Sequence, residues 1–139
     1  MRHNFDEFLG VDVGEAKTGI ARGSSAARLA QPLKSVAATD AIEELSTLAG
    51  QYKVSGLVVG LPRGLEAQET DQTKRVRAWT SQAKSQLNLP FYWQDEALTS
   101  QKAESLKLKA QSRVGLDAVA AALILQDFLD TPESQRVRC

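Results

Sequence analysis

The sequence predicts an α/β fold in which helices cover both faces of one mixed sheet. Two observations indicate this class. Three short strand-like segments come first and are close enough to be joined as hairpins, and helical and strand patterns then alternate, which is typical of parallel strands linked by crossover helices. A length of 139 residues with 42% hydrophobic and 24% charged residues fits one globular domain, residues 1–139.

The first half of the chain supplies the antiparallel part of the sheet. Apolar and β-branched residues predict strands at Phe8–Val13, Thr18–Arg22 and Gln31–Val36. The proline in the third segment favours a position at the edge of the sheet. Thr39-Asp40, with Glu43 three residues after Asp40, then predicts a capped helix that runs to Tyr52.

The second half supplies the parallel part. Its predicted strands are Gly56–Gly60 and Phe91–Asp95, and its predicted helices are Val76–Leu87, Thr99–Ala110 and Leu116–Leu129, the last apolar nearly all round and therefore buried. The simplest topology puts the first of five strands in the centre. The second and third strands are antiparallel on one side, and the fourth and fifth are parallel on the other.

Composition excludes several classes of protein. The longest apolar run, Ala118–Leu125, is too short to span a membrane, and the chain opens without a secretory signal. The only cysteine is Cys139, so no intrachain disulfide can form and we expect a cytoplasmic location. The only histidine is His3, which disfavours Ser–His or Cys–His catalysis and zinc sites.

A net charge of zero hides a basic segment. Between Gln72 and Arg113 the chain holds eight basic and three acidic residues, an excess of five positive charges. Such an excess can bind a polyanion, although the charge alone favours two solvated, lysine-rich helix faces. The predicted phosphate contacts are Lys74, Arg75 and Arg77, followed by Lys102, Lys107 and Lys109.

Three carboxylates fall where carboxylates are costly. Asp12 ends the central strand, Glu96 follows an aromatic strand, and Asp117 lies in the first turn of the most apolar helix. Individually they could cap a turn, be solvated in a loop, or complement a helix dipole. Together, at the carboxyl edge of the sheet, they predict a site for divalent cations, and two such ions can promote phosphodiester hydrolysis.

Two local questions stay open. Asp95 and Glu96 lie on opposite faces of their strand, and the sequence does not say which face the site occupies. The glycine-bracketed turn from Asp12 to Gly19 could hold phosphate on its amides with help from Lys17, or be an ordinary hairpin. Walker A and G-x-G-x-x-G patterns are absent from the sequence.

Four blocks in order resemble the YqgF/RuvX family of ribonuclease H-like proteins. They are Gly10-Val11-Asp12-Val13-Gly14 with Lys17-Thr18-Gly19-Ile20-Ala21, Val58-Val59-Gly60-Leu61-Pro62, Asp95-Glu96-Ala97-Leu98-Thr99-Ser100, and Asp117 with Ala120-Ala121 and Ile124-Leu125. The resemblance implies an RNase H-like fold and a metal-dependent nuclease, with Asp12, Glu96 and Asp117 holding two Mg²⁺ or Mn²⁺ ions.

The family also suggests substrates and partners. Processing of precursor 16S ribosomal RNA is favoured, with contact to a ribosomal particle, and resolution of Holliday junctions in branched DNA is the older assignment. A homodimer is compatible with either. Two departures from the family pattern bear on activity: Ala97 replaces an arginine, and Arg63–Thr70 replaces the usual loop after Pro62.

Two other functions compete with that of a nuclease. The D-x-G start is similar to the phosphate loop of sugar kinases, but those enzymes need a second domain that 139 residues cannot supply. A non-catalytic RNA-binding module of the same fold is favoured by Ala97 and opposed by the retained carboxylates.

Overall fold

The computed structural model describes residues 6–63, 66, 68–96 and 115–139. Within these ranges a single sheet has the strand order β3-β2-β1-β4-β5-β6. The strands are β1 (Glu7–Val13), β2 (Lys17–Ser24), β3 (Leu29–Ala37), β4 (Gly56–Pro62), β5 (Phe91–Glu96) and β6 (Val137–Arg138).

The predicted topology is confirmed, with one strand added. β1 is central and pairs antiparallel with β2 and parallel with β4, while β5 runs parallel to β4. The prediction of five strands was wrong, because β6 pairs antiparallel with β5 through Tyr92–Arg138 and Trp93–Val137. Two residues are too short a segment to give a strand pattern in the sequence.

Helices cover both faces of the sheet. They are α1 (Ala41–Tyr52), α2 (Asp71–Gln86) and α3 (Leu116–Asp130). The core on one face, here the α2 face, joins Leu9 and Val59 to Leu45 of α1 and Val76 of α2. On the other, the α3 face, apolar residues of α3 pack against residues of β1, β2 and β4, among them Phe8, Ala21 and Val58. Each side chain of the central strands therefore points either to the α2 face or to the α3 face.

The ends of α1 and α2 differ in how they are capped. The predicted cap by Asp40 is wrong: a 3₁₀ helix, Ala38–Asp40, leads into α1, and the Asp40 side chain makes no capping hydrogen bond. α2 has the capping box instead, since the Thr70 hydroxyl accepts a hydrogen bond from the Thr73 amide at 3.2 Å and the Thr73 hydroxyl accepts one from the Thr70 amide at 2.9 Å.

β3 lies at the edge of the sheet, as Pro32 predicts. Its pairing with β2 shifts register between Ile20 and Ala21, so that Ile20 pairs with Lys34 and Ala21 with Pro32. The irregularity therefore lies next to the proline.

The helix predicted over residues 99–110 lies outside the described residues. In the part of the chain that is described, no helix is long and apolar enough to cross a membrane.

Candidate active site

Asp12 lies near the end of the central strand on the α3 face. Side chains alternate between faces along a strand, and a Cβ on Gly10 would meet Leu125 and Ala121 of α3. Asp12, two residues further on, points to the same face. Across the sheet Asp12 pairs with Gly19 of β2. The residue that lies over Gly19 is therefore a neighbour of Asp12.

That residue is Asp117, in the first turn of α3. A Cβ on Gly19 would collide with the Asp117 carbonyl group and would stand 2.7 Å from the Ala118 amide nitrogen. Only a glycine lets the start of α3 approach β2 so closely. The approach brings Asp117 near enough to Asp12 for its charge to act on the Asp12 carboxylate.

The two carboxylates interact electrostatically. Burial, and to a smaller extent the negative charge of Asp117, together raise the pKa of Asp12 from 3.8 to about 6. No lysine or arginine of the described residues forms an ion pair with either aspartate. A pair of like charges without a protein cation is a suitable site for a hard metal cation, which prefers carboxylate oxygens.

Glu96, at the end of β5, lies on the same α3 face. Tyr92, four residues earlier, packs against Phe8 and Phe128, with ring centroids 6.2 Å and 5.1 Å away. A Cβ on Gly60 of β4 would stand 3.0 Å from the Glu96 carboxyl carbon. The question of which carboxylate faces the site is thus answered for this structure: Glu96 shares a face with Asp12, and Asp95 does not.

Asp95 has a different partner. It lies on the α2 face, where its Oδ1 is 3.3 Å from Nε of Arg63. In the described ranges no group of three His, Cys, Asp or Glu side chains is arranged to hold a metal ion. The structure therefore brings Asp12 and Asp117 together and places Glu96 on their face, without assembling all three around one point.

Of the predicted nucleic-acid contacts that the structure describes, Lys17 lies on this face. It begins β2, is exposed, and shares a face with Gly19 two residues further on. The Lys17 side chain is exposed to solvent at the carboxyl edge of the sheet. The other described candidates, Lys74, Arg75 and Arg77, lie on α2 and thus on the opposite side of the sheet.

The two arginines of α2 are already paired with carboxylates. Nη1 of Arg75 is 2.6 Å from Oε1 of Glu15, in the β1–β2 turn. Arg77 donates two hydrogen bonds to Glu69. Because the Thr73 hydroxyl donates a hydrogen bond to the Pro62 carbonyl at the end of β4, the first turn of α2 lies at the carboxyl edge of the sheet. Lys102, Lys107 and Lys109 lie outside the described residues.

Sequence reasoning missed Gly19, Glu69 and Arg63. A signal for Gly19 was available, since a glycine inside a strand pattern often marks a close backbone approach. The Glu69–Arg77 pair had none, because the two residues are eight apart and one precedes the helix.

The fold is that of the RNase H-like proteins. Two solved structures of Thermus thermophilus RuvC cover 96% of this chain and 99% of their own. One is RuvC alone, with a TM-score of 0.59 and 12% identity. The other is RuvC in complex with a Holliday junction substrate, with a TM-score of 0.60 and 13% identity. This likeness establishes the fold.

The chain belongs to the RuvX family, described as Holliday junction resolvase, which matches residues 6–131. A relative from Orientia tsutsugamushi is 34% identical over 94% of this chain and 87% of its own. Another, from Roseiflexus, is 36% identical over 88% and 93%. Both carry the name "Putative pre-16S rRNA nuclease". The predicted family is confirmed, and its members are nucleases, hence hydrolases.

Proposed function

We propose that this protein is a metal-dependent nuclease that cleaves structured RNA, with precursor 16S ribosomal RNA as its substrate. The observation that carries the proposal is the pair of like-charged aspartates, Asp12 and Asp117, at the end of the central strand. The names of the relatives support the choice of RNA. A cytoplasmic location, contact with a ribosomal particle and a homodimer belong to the same proposal.

The residues divide the work between metal and substrate. Asp12 and Asp117 would hold the divalent cation, Mg²⁺ or Mn²⁺, and Glu96 would complete the ligand set from the same face. One or two bound ions would activate water and stabilise the leaving oxygen in phosphodiester hydrolysis. With a pKa of about 6, Asp12 is ionised in most molecules at neutral pH and is ready to bind a cation.

Lys17 would contact a phosphate near the cleaved bond, since it lies on the face of the aspartates. The basic residues of α2 would contact phosphates further along, where the nucleic-acid strand crosses the edge of the sheet toward α2. They are Lys74, Arg75 and Arg77. Lys102, Lys107 and Lys109 would add contacts of the same kind. Phosphate contacts position a substrate and carry no sequence information.

The decisive experiment is a cleavage assay with a labelled RNA that spans an end of 16S ribosomal RNA and its precursor extension. Wild type should cleave with Mg²⁺ or Mn²⁺ and stop in EDTA. Asp12→Asn should lose cleavage while its melting curve stays cooperative. Asp95→Asn is the matched control, because its carboxylate lies on the opposite face, and it should cleave. Full activity of Asp12→Asn, or cleavage in EDTA, would refute the proposed site.

Branched DNA is the second candidate substrate. Its support is the family description and the likeness to RuvC, one structure of which contains a Holliday junction. A labelled four-way junction in the same assay separates the two substrates. Binding of RNA without cleavage of either substrate would favour the non-catalytic module.

A further inference from the structure

One carboxylate beside the start of α2, that of Glu69, interacts with three cations: Arg77 by hydrogen bonds, and Arg63 and Lys74 through their charges. Nε and Nη2 of Arg77 donate hydrogen bonds to Oε1 and Oε2 of Glu69 at 3.1 Å and 3.0 Å. The positive charges of Arg63 and Lys74 act on the same carboxylate. The Arg77 hydrogen bond, together with the charges of Arg77, Arg63 and Lys74, holds the pKa of Glu69 below its usual range.

The cluster is held in place by its surroundings. The guanidinium carbon of Arg77 lies 5.3 Å from the centre of the Trp93 ring on β5. Glu69 directly precedes Thr70, the cap of α2, and the Thr73 hydroxyl donates a hydrogen bond to the Pro62 carbonyl at the end of β4. The end of β4, the cap of α2 and the Trp93 ring thus limit the orientation of the Arg77 guanidinium group.

The position of the cluster around Glu69 connects the two faces of the sheet. Arg63 follows β4 directly and pairs with Asp95, the neighbour of Glu96. The cluster therefore lies between α2 and the carboxyl edge that carries the candidate active site. A nucleic-acid strand that runs from the aspartates toward α2 would come near this cluster.

The geometry of the pair is that of phosphate recognition. An arginine fork binds carboxylate and phosphate with the same two parallel hydrogen bonds. A phosphodiester carries one negative charge and two equivalent oxygens, as the Glu69 carboxylate does. Because Arg77 donates two hydrogen bonds there and the charges of Arg63 and Lys74 also act there, the position occupied by the Glu69 carboxylate suits a phosphate equally well.

We propose that Arg63, Lys74 and Arg77 bind a backbone phosphate of the substrate, and that Glu69 occupies this position in the free protein and is displaced on binding. The inference rests on the proposed function, since it takes nucleic acid as the ligand. Beyond that function, the inference assigns two roles: Glu69 lowers the affinity for nucleic acid, and Arg63 contributes to binding.

The test is the affinity of Glu69→Gln for nucleic acid, measured by fluorescence anisotropy in EDTA so that no cleavage occurs. The probes are a labelled RNA hairpin with a single-stranded extension and a labelled four-way DNA junction. We expect Glu69→Gln to bind about two- to fivefold more tightly than wild type in ~50 mM salt, the scale of an exposed ion pair. The gain should shrink as salt screens the charges.

Glu7→Gln is the matched control. Glu7 also pairs with an arginine, Arg22, at 3.0 Å, and the guanidinium carbon of Arg22 also lies over an aromatic ring, that of Tyr52, at 4.1 Å. The Glu7–Arg22 pair lies at the start of β1, and the candidate active site lies near the end of this strand. The same change of charge at Glu7 should therefore leave the affinity for nucleic acid near that of wild type. Melting curves confirm that each variant is folded.

Arg77→Ala and Arg63→Ala provide the second test. Each should weaken binding, and the gain from Glu69→Gln should be lost in the Arg77→Ala background. Equal affinities of Glu69→Gln and Glu7→Gln, or a full gain without Arg77, would overturn the inference while leaving a cleaving wild type intact. A wild type that neither binds nor cleaves any probe would instead overturn the proposed function.

Discussion

Gly19 and Asp117 are in direct backbone contact: no side chain fits between β2 and the first turn of α3 at this point. Since Gly19 pairs across the sheet with Asp12, one glycine sets the separation of the two aspartates. The contact links the packing of α3 to the charge of the site.

Gly19→Ala should separate the aspartates by pushing the start of α3 away. We expect the free energy of unfolding to fall by about 1–3 kcal/mol, as for an overpacked core. The rise in Tm on adding Mg²⁺ should also become smaller. Gly50→Ala on α1 is the control, because its Cβ enters open space and should add about 0.5–1 kcal/mol of stability. An unchanged Mg²⁺ effect in Gly19→Ala would contradict the role given to this contact.

Asp12 should make stability depend on pH. Its pKa is raised from 3.8 to about 6, so ionisation destabilises the folded protein progressively between these values, with a constant penalty above about pH 6. In EDTA at pH 7, Asp12→Asn should therefore be more stable than wild type by about 3 kcal/mol. Urea unfolding from pH 4 to 8 measures the difference, which should vanish near pH 4. A constant difference at every pH would show that the charge is not its cause.

Asp117→Asn should lower the pKa of Asp12, because one cause of the raised value is removed. The shift should be partial, since burial, the larger cause, remains. Carboxyl ¹³C chemical shifts followed through a pH titration in EDTA measure it. Asp95→Asn on the opposite face should leave the titration of Asp12 where it is in wild type. Equal titrations in all three proteins would place Asp117 too far away to act.

Replacing Lys74, Arg75 and Arg77 together with alanine should weaken nucleic-acid binding and its dependence on salt. Each lost phosphate contact should reduce the slope of log K against log salt by about 0.7–0.9. Because Arg75 and Arg77 pair with Glu15 and Glu69 in the free protein, the loss should fall short of three full contacts. An unchanged slope would place the binding surface elsewhere.

Thr18→Val should stabilise the protein. The Thr18 side chain is fully buried on the α2 face, and its hydroxyl has no hydrogen-bond partner within the described ranges. Valine has the same shape without the unsatisfied group, whose burial costs about 1–3 kcal/mol. Thr80→Val is the control: its buried hydroxyl donates to the Val76 carbonyl at 2.8 Å, and the change should be neutral or destabilising. Chemical unfolding of both variants decides; loss of stability in Thr18→Val would mean that its hydroxyl is satisfied.

The strand order could be predicted because it follows from short connections and right-handed crossovers, which leave few arrangements. The positions of Asp12 and Asp117 could be predicted for the same reason: each is fixed by the end of an element that the apolar pattern defines. The contact that joins them could not be predicted, since it depends on how closely α3 approaches β2 at Gly19.

The remaining differences have local causes. The chain enters α1 through a 3₁₀ turn, so Asp40 occupies the N-cap position with helical rather than extended backbone angles, and its side chain makes no capping hydrogen bond. The orientation of Glu96 depends on the register of β5 against β4, which a strand pattern alone does not give. Ion pairs such as Arg77–Glu69 depend on loop conformation rather than periodicity.

The irregular edge of β3 has a consequence for self-association. An unbroken outer strand offers its free amides and carbonyls to a strand of another molecule and thereby seeds aggregation. Pro32 removes one amide from this strand, and the register shift beside it adds local twist. Molecules of this protein are therefore less suited to join their sheets along β3 than an unbroken edge strand would make them.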